Sequence, residues 1–229
     1  MVNEWKRLET RGILTIAAHP DDETFGCGGA MALHSRYGHK CSVLILTCSD
    51  GERKGESEEA MNLLRVNELT VLNHKRISLN HGLVDEISDF IVEVKPEIVI
   101  THIPWDYHRE HRIAYRAVKE ALEWSGHFTK YGNPWKVSRL LLMEVNTLIP
   151  SPQIILDVSN VFEEKMKAIF CYKSQIQKLP DNYYVKLNRA KAVLRGVQGG
   201  CEYGEAFFEE ALNKNSPFYQ EKSSKNFFS

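Results

Sequence analysis

Ile13-Leu14-Thr15-Ile16-Ala17-Ala18-His19-Pro20-Asp21-Asp22-Glu23 is the stretch from which the fold can be read. Its first six residues are mostly apolar, and a run of that length and composition predicts a buried strand. Proline after the histidine ends the sheet ladder and turns the chain. An imidazole and three carboxylates then fall at the strand's end, where burial is costly unless solvent, a metal or mutual hydrogen bonds stabilise them. Open α/β sheets take their ligands at that place, outside the carboxyl ends of the strands. The segment therefore predicts both a sheet of this kind and a metal-dependent hydrolase site beside its first strand.

Working outward, strand-like runs recur at Cys41–Thr47, Ile77–Leu79, Glu97–His102, Leu140–Val145 and Ile154–Val158. Helical patterns lie between them at Gly29–Tyr37, Ser57–His74, Val84–Val94 and Glu110–Trp124. This alternation, with continuous apolar strands, predicts an α/β fold: a Rossmann-like, mostly parallel sheet flanked by helices on both faces. Gly38 falls where a helix C-terminal cap is expected. Ser57, with Glu58 and Glu59 after it, reads as a helix start. Beyond residue 160 two helical stretches, Val161–Lys178 and Tyr183–Arg195, precede a glycine-bearing segment and a short helix expected near Glu205–Leu212. No long flexible linker separates these parts. One domain over 1–229 is expected, with a core at about 10–160, a helical C-terminal extension packed on it at about 161–212, and a polar, partly disordered tail at 213–229.

At 229 residues the chain is long enough for one sizeable hydrophobic core. Its 29 Lys and Arg nearly balance its 30 Asp and Glu, so no overall field favours nucleic acid or an anionic membrane. Met1 to Thr10 does not read as a signal peptide, and no apolar run is long enough to span a bilayer. The five cysteines are scattered, with no CxxC pair, which fits reduced thiols in a cytoplasmic protein. Cys27, close to the acidic cluster, reads as a small buried side chain rather than a ligand or nucleophile.

The second half of a metal site is expected at another strand end, and Thr101-His102-Ile103-Pro104-Trp105-Asp106-Tyr107-His108-Arg109-Glu110-His111-Arg112 supplies it. His108 and His111, three apart on a helix starting near Tyr107, share a face with Ala114, Val118 and Ala121, the stripe that packs on the sheet. Together with His19 and Asp22 they predict a shared metal site. Two histidines and one carboxylate are a ligand set of catalytic zinc, with a fourth position left to water. Iron(II) or another divalent ion suits the same donors. Asp21, adjacent to a ligand, is the candidate base for the water proton, and the spare histidine of the pair is a candidate donor to the oxyanion and leaving group.

Ala18-His19-Pro20-Asp21-Asp22-Glu23 with Gly28-Gly29 resembles the signature of the LmbE-like (PIG-L) N-deacetylases, and Asp106-x-His108-x-x-His111-Arg112 resembles that family's second motif. The resemblance extends to Thr47 with Gly51-Glu52, to Arg65-x-x-Glu68, to Lys173-Ser174-Gln175 and to Tyr203-Gly204-Glu205-Ala206-Phe207. It implies a Rossmann-like fold, His19, Asp22 and His111 as zinc ligands, Asp21 as general base, His108 as the stabiliser of the tetrahedral intermediate, and Arg65 in substrate binding. Glu110 stands where the family usually has Asp; with its extra methylene, it is expected to orient His108 with altered geometry. The implied reaction is hydrolysis of the N-acetyl amide of a GlcNAc-type glycoside or conjugate, a small-molecule substrate. Removal of a different acyl group is an alternative, as is a non-catalytic metal or nucleotide-sugar binding protein, although binding alone requires neither Asp21 nor His108. A homo-oligomer is compatible with the sequence.

Other features read more plainly. Gly26-x-Gly28-Gly29 follows carboxylates that would repel a pyrophosphate, so a close approach of helix to strand is expected rather than a dinucleotide site. The charged run Asp50–Glu59 reads as a solvated loop or a lid over the site. Trp105 and Tyr107 are equally suited to stacking on a sugar and to the core. His127, Phe128, Tyr131 and Trp135 read mainly as packing, and His102 as a strand-end residue beside the motif.

Overall fold

A computed structural model describes residues 12–48 and 51–212. Asp50, the stretch Met1 to Thr10 and the tail from Asn213 lie outside the described residues. The chain runs β1 (Ile13–Ala17), α1 (Asp22–Arg36), β2 (Cys41–Thr47), α2 (Gly51–Leu63), β3 (Glu68–His74), α3 (His81–Val94), β4 (Ile98–His102), α4 (Arg109–Ser125), β5 (Arg139–Met143) and β6 (Ile154–Asp157). It then continues through α5 (Phe162–Cys171), α6 (Lys173–Ile176), α7 (Tyr183–Gly199) and β7 (Gly204–Glu210).

The seven strands form one sheet in the order β3-β2-β1-β4-β5-β7-β6. The first five are parallel, with Ile13 opposite both Cys41 and Ile98; β7 runs antiparallel between β5 and β6. Every residue of β1, β2 and β4 is buried, because helices cover both faces. Ile13, Ala17, Val43, Ile45 and Met143 pack toward α1, α2 and α5, whereas Leu14, Ile16, Leu44, Leu46 and Leu142 pack toward α3 and α4. Chain order reverses between β1 and β4, so their carboxyl ends diverge and leave a crevice between them. The two sequence motifs leave the sheet at those two ends.

Several expected elements are corrected. The helix expected over Ser57–His74 begins at Gly51 and ends at Leu63; Arg65 turns left-handed (φ 57°), and Glu68–His74 is the third strand. No Gly or Pro separates the two elements, so the sequence offers no break there. Ile77–Leu79 is consequently not a strand, and the described part of the charged run, from Gly51 to Glu59, is the first turns of α2 rather than a loop. Glu205–Leu212 is not helical: Gly204–Glu210 is a strand drawn into pairing by β5 and β6, so the extension is only partly helical. Gly38, in contrast, takes the left-handed position after α1 (φ 77°) as expected.

Candidate active site

The end of β1 is held from two sides. Thr47 donates through its N–H and its hydroxyl to the Ala18 carbonyl (2.9 and 2.7 Å), while His102 Nε2 accepts the Ala18 N–H (2.9 Å). Pro20 then turns the chain, and Asp21 adopts φ 107° and ψ −35°, a backbone rarely taken by a residue with a Cβ. Helix α1 starts at Asp22 and kinks at Cys27 (φ −143°, ψ 26°), so its first turn is posed separately from the rest.

Asp22 lies at the centre. Its Oδ2 accepts the His19 N–H at 2.9 Å and lies 3.2 Å from both His19 Nδ1 and His111 Nε2. Four-coordinate zinc, at ~2.1 Å from nitrogen or oxygen donors, spaces them by ~3.4 Å, so these atoms already have the separation of a ligand shell. The far nitrogen of each imidazole faces another carboxylate. His19 Nε2 is 2.8 Å from Glu110 Oε2, and His111 Nδ1 is 3.2 Å from Asp106 Oδ1. Metal-bound histidines characteristically show this arrangement, because the outer carboxylate fixes tautomer and ring orientation. Among the described residues, ligand atoms converge within 4.8 Å in two sets, His19–His108–His111 and Asp22–His102–His111.

Charge agrees with that donor set. Burial favours the neutral form of Asp22, but His111, His19 and His102 outweigh it and hold the carboxyl well below its usual range. Burial likewise works against a charged His111, yet Asp22 and Asp106 prevail and raise its pKa to about 10. A nitrogen that binds a proton so firmly sits in a negative field that a divalent cation can occupy instead. The residues present therefore fit a metal.

Asp21 lies beside this cluster. Burial, and then the neighbouring Asp22, push its pKa well above the ordinary carboxylate value, while Arg53 opposes them. The Arg53 guanidinium, from the first turn of α2, donates to Asp21 Oδ2 at 3.1 Å and to the Pro20 carbonyl. His108 occupies the N-cap position of α4, with its backbone N–H on Asp106 Oδ1 (2.8 Å) and its ring 4.7 Å from that of His111. Burial, then His111 and His19, lower its pKa.

The structure thus brings together His19, Asp21, Asp22, His108, Glu110 and His111, and it leaves Arg65 out. Arg65 is exposed in the turn between α2 and β3, next to Asn67, whose N–H bonds the carbonyl of Cys41 at the start of β2. The six steps along β2 separate that end from the site by ~20 Å. Arg53 is the arginine at the site, and Arg53-x-x-Glu56 is the pattern in place: Glu56 accepts the Ser174 N–H and hydroxyl at 2.7 and 2.6 Å. Glu110 supports His19, with its other oxygen on the Ile77 N–H (3.1 Å), and makes no hydrogen bond to His108. Sequence reading also gave no role to Asp106 and little to His102, which is fully buried and stacked on His111 at 4.0 Å. His102 closes β4 and Asp106 precedes the histidine pair, which is the signal that would have found them. Trp135 bonds the Pro96 carbonyl at the opposite end of β4 (2.6 Å), so that stretch does not cover the site. Cys27 is fully buried, and burial raises its pKa, as befits an inert thiol.

Residues 14–122 match the PIG-L family model, described as GlcNAc-PI de-N-acetylase. The chain is 25% identical, over 82% of its length and 94% of the relative's, to a probable N-acetyl-alpha-D-glucosaminyl L-malate deacetylase 2 of Bacillus cereus. It is also 25% identical, over 85% of its length and 83% of the relative's, to a 4-oxalmesaconate hydratase of Pseudomonas putida. Among solved structures, the N,N'-diacetylchitobiose deacetylase of Pyrococcus horikoshii shares the fold with a TM-score of 0.76 at 24% identity, over 87% of this chain and 84% of that one. No described helix is long and apolar enough to cross a membrane.

Proposed function

We propose, with the match of residues 14–122 to the PIG-L family model as premise, that this enzyme hydrolyses the N-acetyl amide of a GlcNAc-type glycoside or conjugate. The products are acetate and the free amine. The observation that carries this reading is that Asp22 Oδ2 lies 3.2 Å from both His19 Nδ1 and His111 Nε2, with Asp21 and His108 beside it. His19, Asp22 and His111 would hold a divalent ion, zinc by the character of the donors, which would supply Lewis-acid polarisation of the amide carbonyl and a more acidic water.

The chain's own groups do the remaining work. Asp21 takes the water proton; burial and Asp22 raise its proton affinity, as a base in this role requires. His108 is half-buried beside the cluster, and its buried Nδ1 makes no hydrogen bond. It donates a hydrogen bond to the oxyanion, and the proton taken up by Asp21 passes to the departing amine. Glu110 and Asp106 keep His19 and His111 in register. Arg53 orients Asp21 and is the side chain in reach of a substrate's polar groups, the part expected of Arg65. The exposed rings of Trp105 and Tyr107 offer a sugar-stacking wall beside His108.

The hydratase relative favours a second reading, in which the same water activation serves addition to a carbon–carbon double bond. That reaction expels no amine and instead delivers the proton to carbon. The test is acetate release by metal-stripped protein reconstituted with zinc, across N-acetylglucosaminyl conjugates. Asp21→Asn is expected to bind zinc stoichiometrically and to lose about 10²–10⁴ in kcat. Near-wild-type turnover by Asp21→Asn would remove Asp21 as base. Hydration of an unsaturated carboxylate with no acetate from any conjugate would move the assignment to the second reading.

A further inference from the structure

Asp21 carries the proposed base on a backbone that most residues avoid, and strain of this kind persists only where neighbours hold it. The Asp21 N–H donates to Glu23 Oε2 at 3.1 Å. The other oxygen of Glu23 accepts the hydroxyl of Tyr172 and, at 3.2 Å, that of Thr24. Tyr172 is fully buried at the end of α5, with its ring edge-on to Phe25 at 6.0 Å. A relay therefore runs from the C-terminal extension, through Tyr172 and Glu23, to the peptide that aims Asp21.

The same turn is gripped elsewhere by that extension. Glu205 accepts the N–H groups of Gly29 and Ala30 at 2.7 and 2.8 Å, capping the part of α1 beyond the kink. The Phe25 carbonyl instead receives Lys165 and Lys191 at 3.2 and 3.3 Å. Those contacts set where the turn lies. Of these contacts from the extension, the Tyr172–Glu23 pair is the one that reaches the Asp21 N–H, while Arg53 holds the Pro20 carbonyl of the same peptide.

We infer that Tyr172 and Glu23 are positioning residues, which lock the left-handed Asp21 peptide so that its carboxylate faces the ligand cluster. The inference rests on the reading of Asp21 as base, and its test separates the two. Tyr172→Phe keeps the ring and removes the hydroxyl. Glu23→Gln keeps an oxygen that can accept the Asp21 N–H, whereas Glu23→Ala keeps none.

Hydrogen exchange at the Asp21 amide, followed by NMR in zinc-loaded protein, reads the lock without any substrate. Exchange about tenfold faster in Tyr172→Phe and in Glu23→Ala is expected, the factor that one buried hydrogen bond is worth. For acetate release, kcat should fall by a similar or larger factor with KM and zinc stoichiometry unchanged, and Glu23→Gln should recover part of the loss. Unchanged Asp21 exchange in both variants would overturn the proposal, as would a kcat that falls only in step with lost zinc. Should Tyr172→Phe fail to fold, the difference between Glu23→Gln and Glu23→Ala decides alone. Should wild type release no acetate, the functional reading fails while the exchange result still judges the lock.

Discussion

His34, in the last turn of α1, shows how burial makes a side chain sensitive to pH. Its Nδ1 lies 3.0 Å from His39 Nδ1, and burial, then the neighbouring imidazole, lowers its pKa to about 4. The unfolded chain titrates this group near ~6.5, so below that pH it binds a proton that the folded state refuses. The resulting stability is fully present above ~6.5 and is lost as pH falls toward 4. Urea titrations from pH 7 to 4 should therefore show wild type losing stability more steeply than His34→Gln; parallel curves would contradict the assignment. At the candidate site, residues were legible wherever chemistry and strand ends coincide, as with His19, Asp22 and His111. Arg53 was not legible, because one arginine in a charged run looks like solvated surface until α2 is placed against Pro20. The register of Arg65-x-x-Glu68 matched the expected pattern equally well, and only the left-handed turn that begins β3 shows that it belongs to the other end of the sheet.

At the scale of elements, α1 illustrates close approach. A Cβ on Gly29 would stand 2.8 Å from Val158 Cγ1 and 2.8 Å from Glu205 Oε1. Val158 is branched and buried, so neither neighbour can move aside freely. Gly29→Ala should thus destabilise by about 1–3 kcal/mol despite alanine's better helix propensity, read as a lower urea midpoint with unchanged slope. A midpoint at or above wild type would show that the turn has slack. Gly26-x-Gly28-Gly29 was legible as a packing device because the carboxylates before it exclude a phosphate. The boundary between α2 and β3 was hidden, since helix formers continue past Leu63 without a breaker. β7 was hidden for a different reason: Glu205-Ala206-Phe207-Phe208-Glu209-Glu210 becomes a strand through partners far along the chain, which local pattern does not register.

Across the whole molecule, buried charge ties the extension to the parallel core. Arg195 pairs with both oxygens of Glu144 and donates to the Ile149 carbonyl at 2.8 Å, with both side chains nearly fully buried. Arg195→Met would strand the Glu144 carboxylate, and a loss of about 3–5 kcal/mol is expected by denaturant unfolding. Arg195→Met with Glu144→Gln should recover part of that; a double variant no better than the single one would show that packing, not charge, was lost. The place of β7 between β5 and β6 has a further consequence for how the molecule comes into being. The hydrogen bond from Gly29 to Glu205 joins positions 176 apart, and pairings so distant in sequence make folding slow. During synthesis the parallel strands can assemble in order, but the turn bearing His19 and Asp22 must wait for residues that leave the ribosome long afterwards. For the cation proposed to lie there, uptake would then be a closing event of maturation rather than the nucleus of folding.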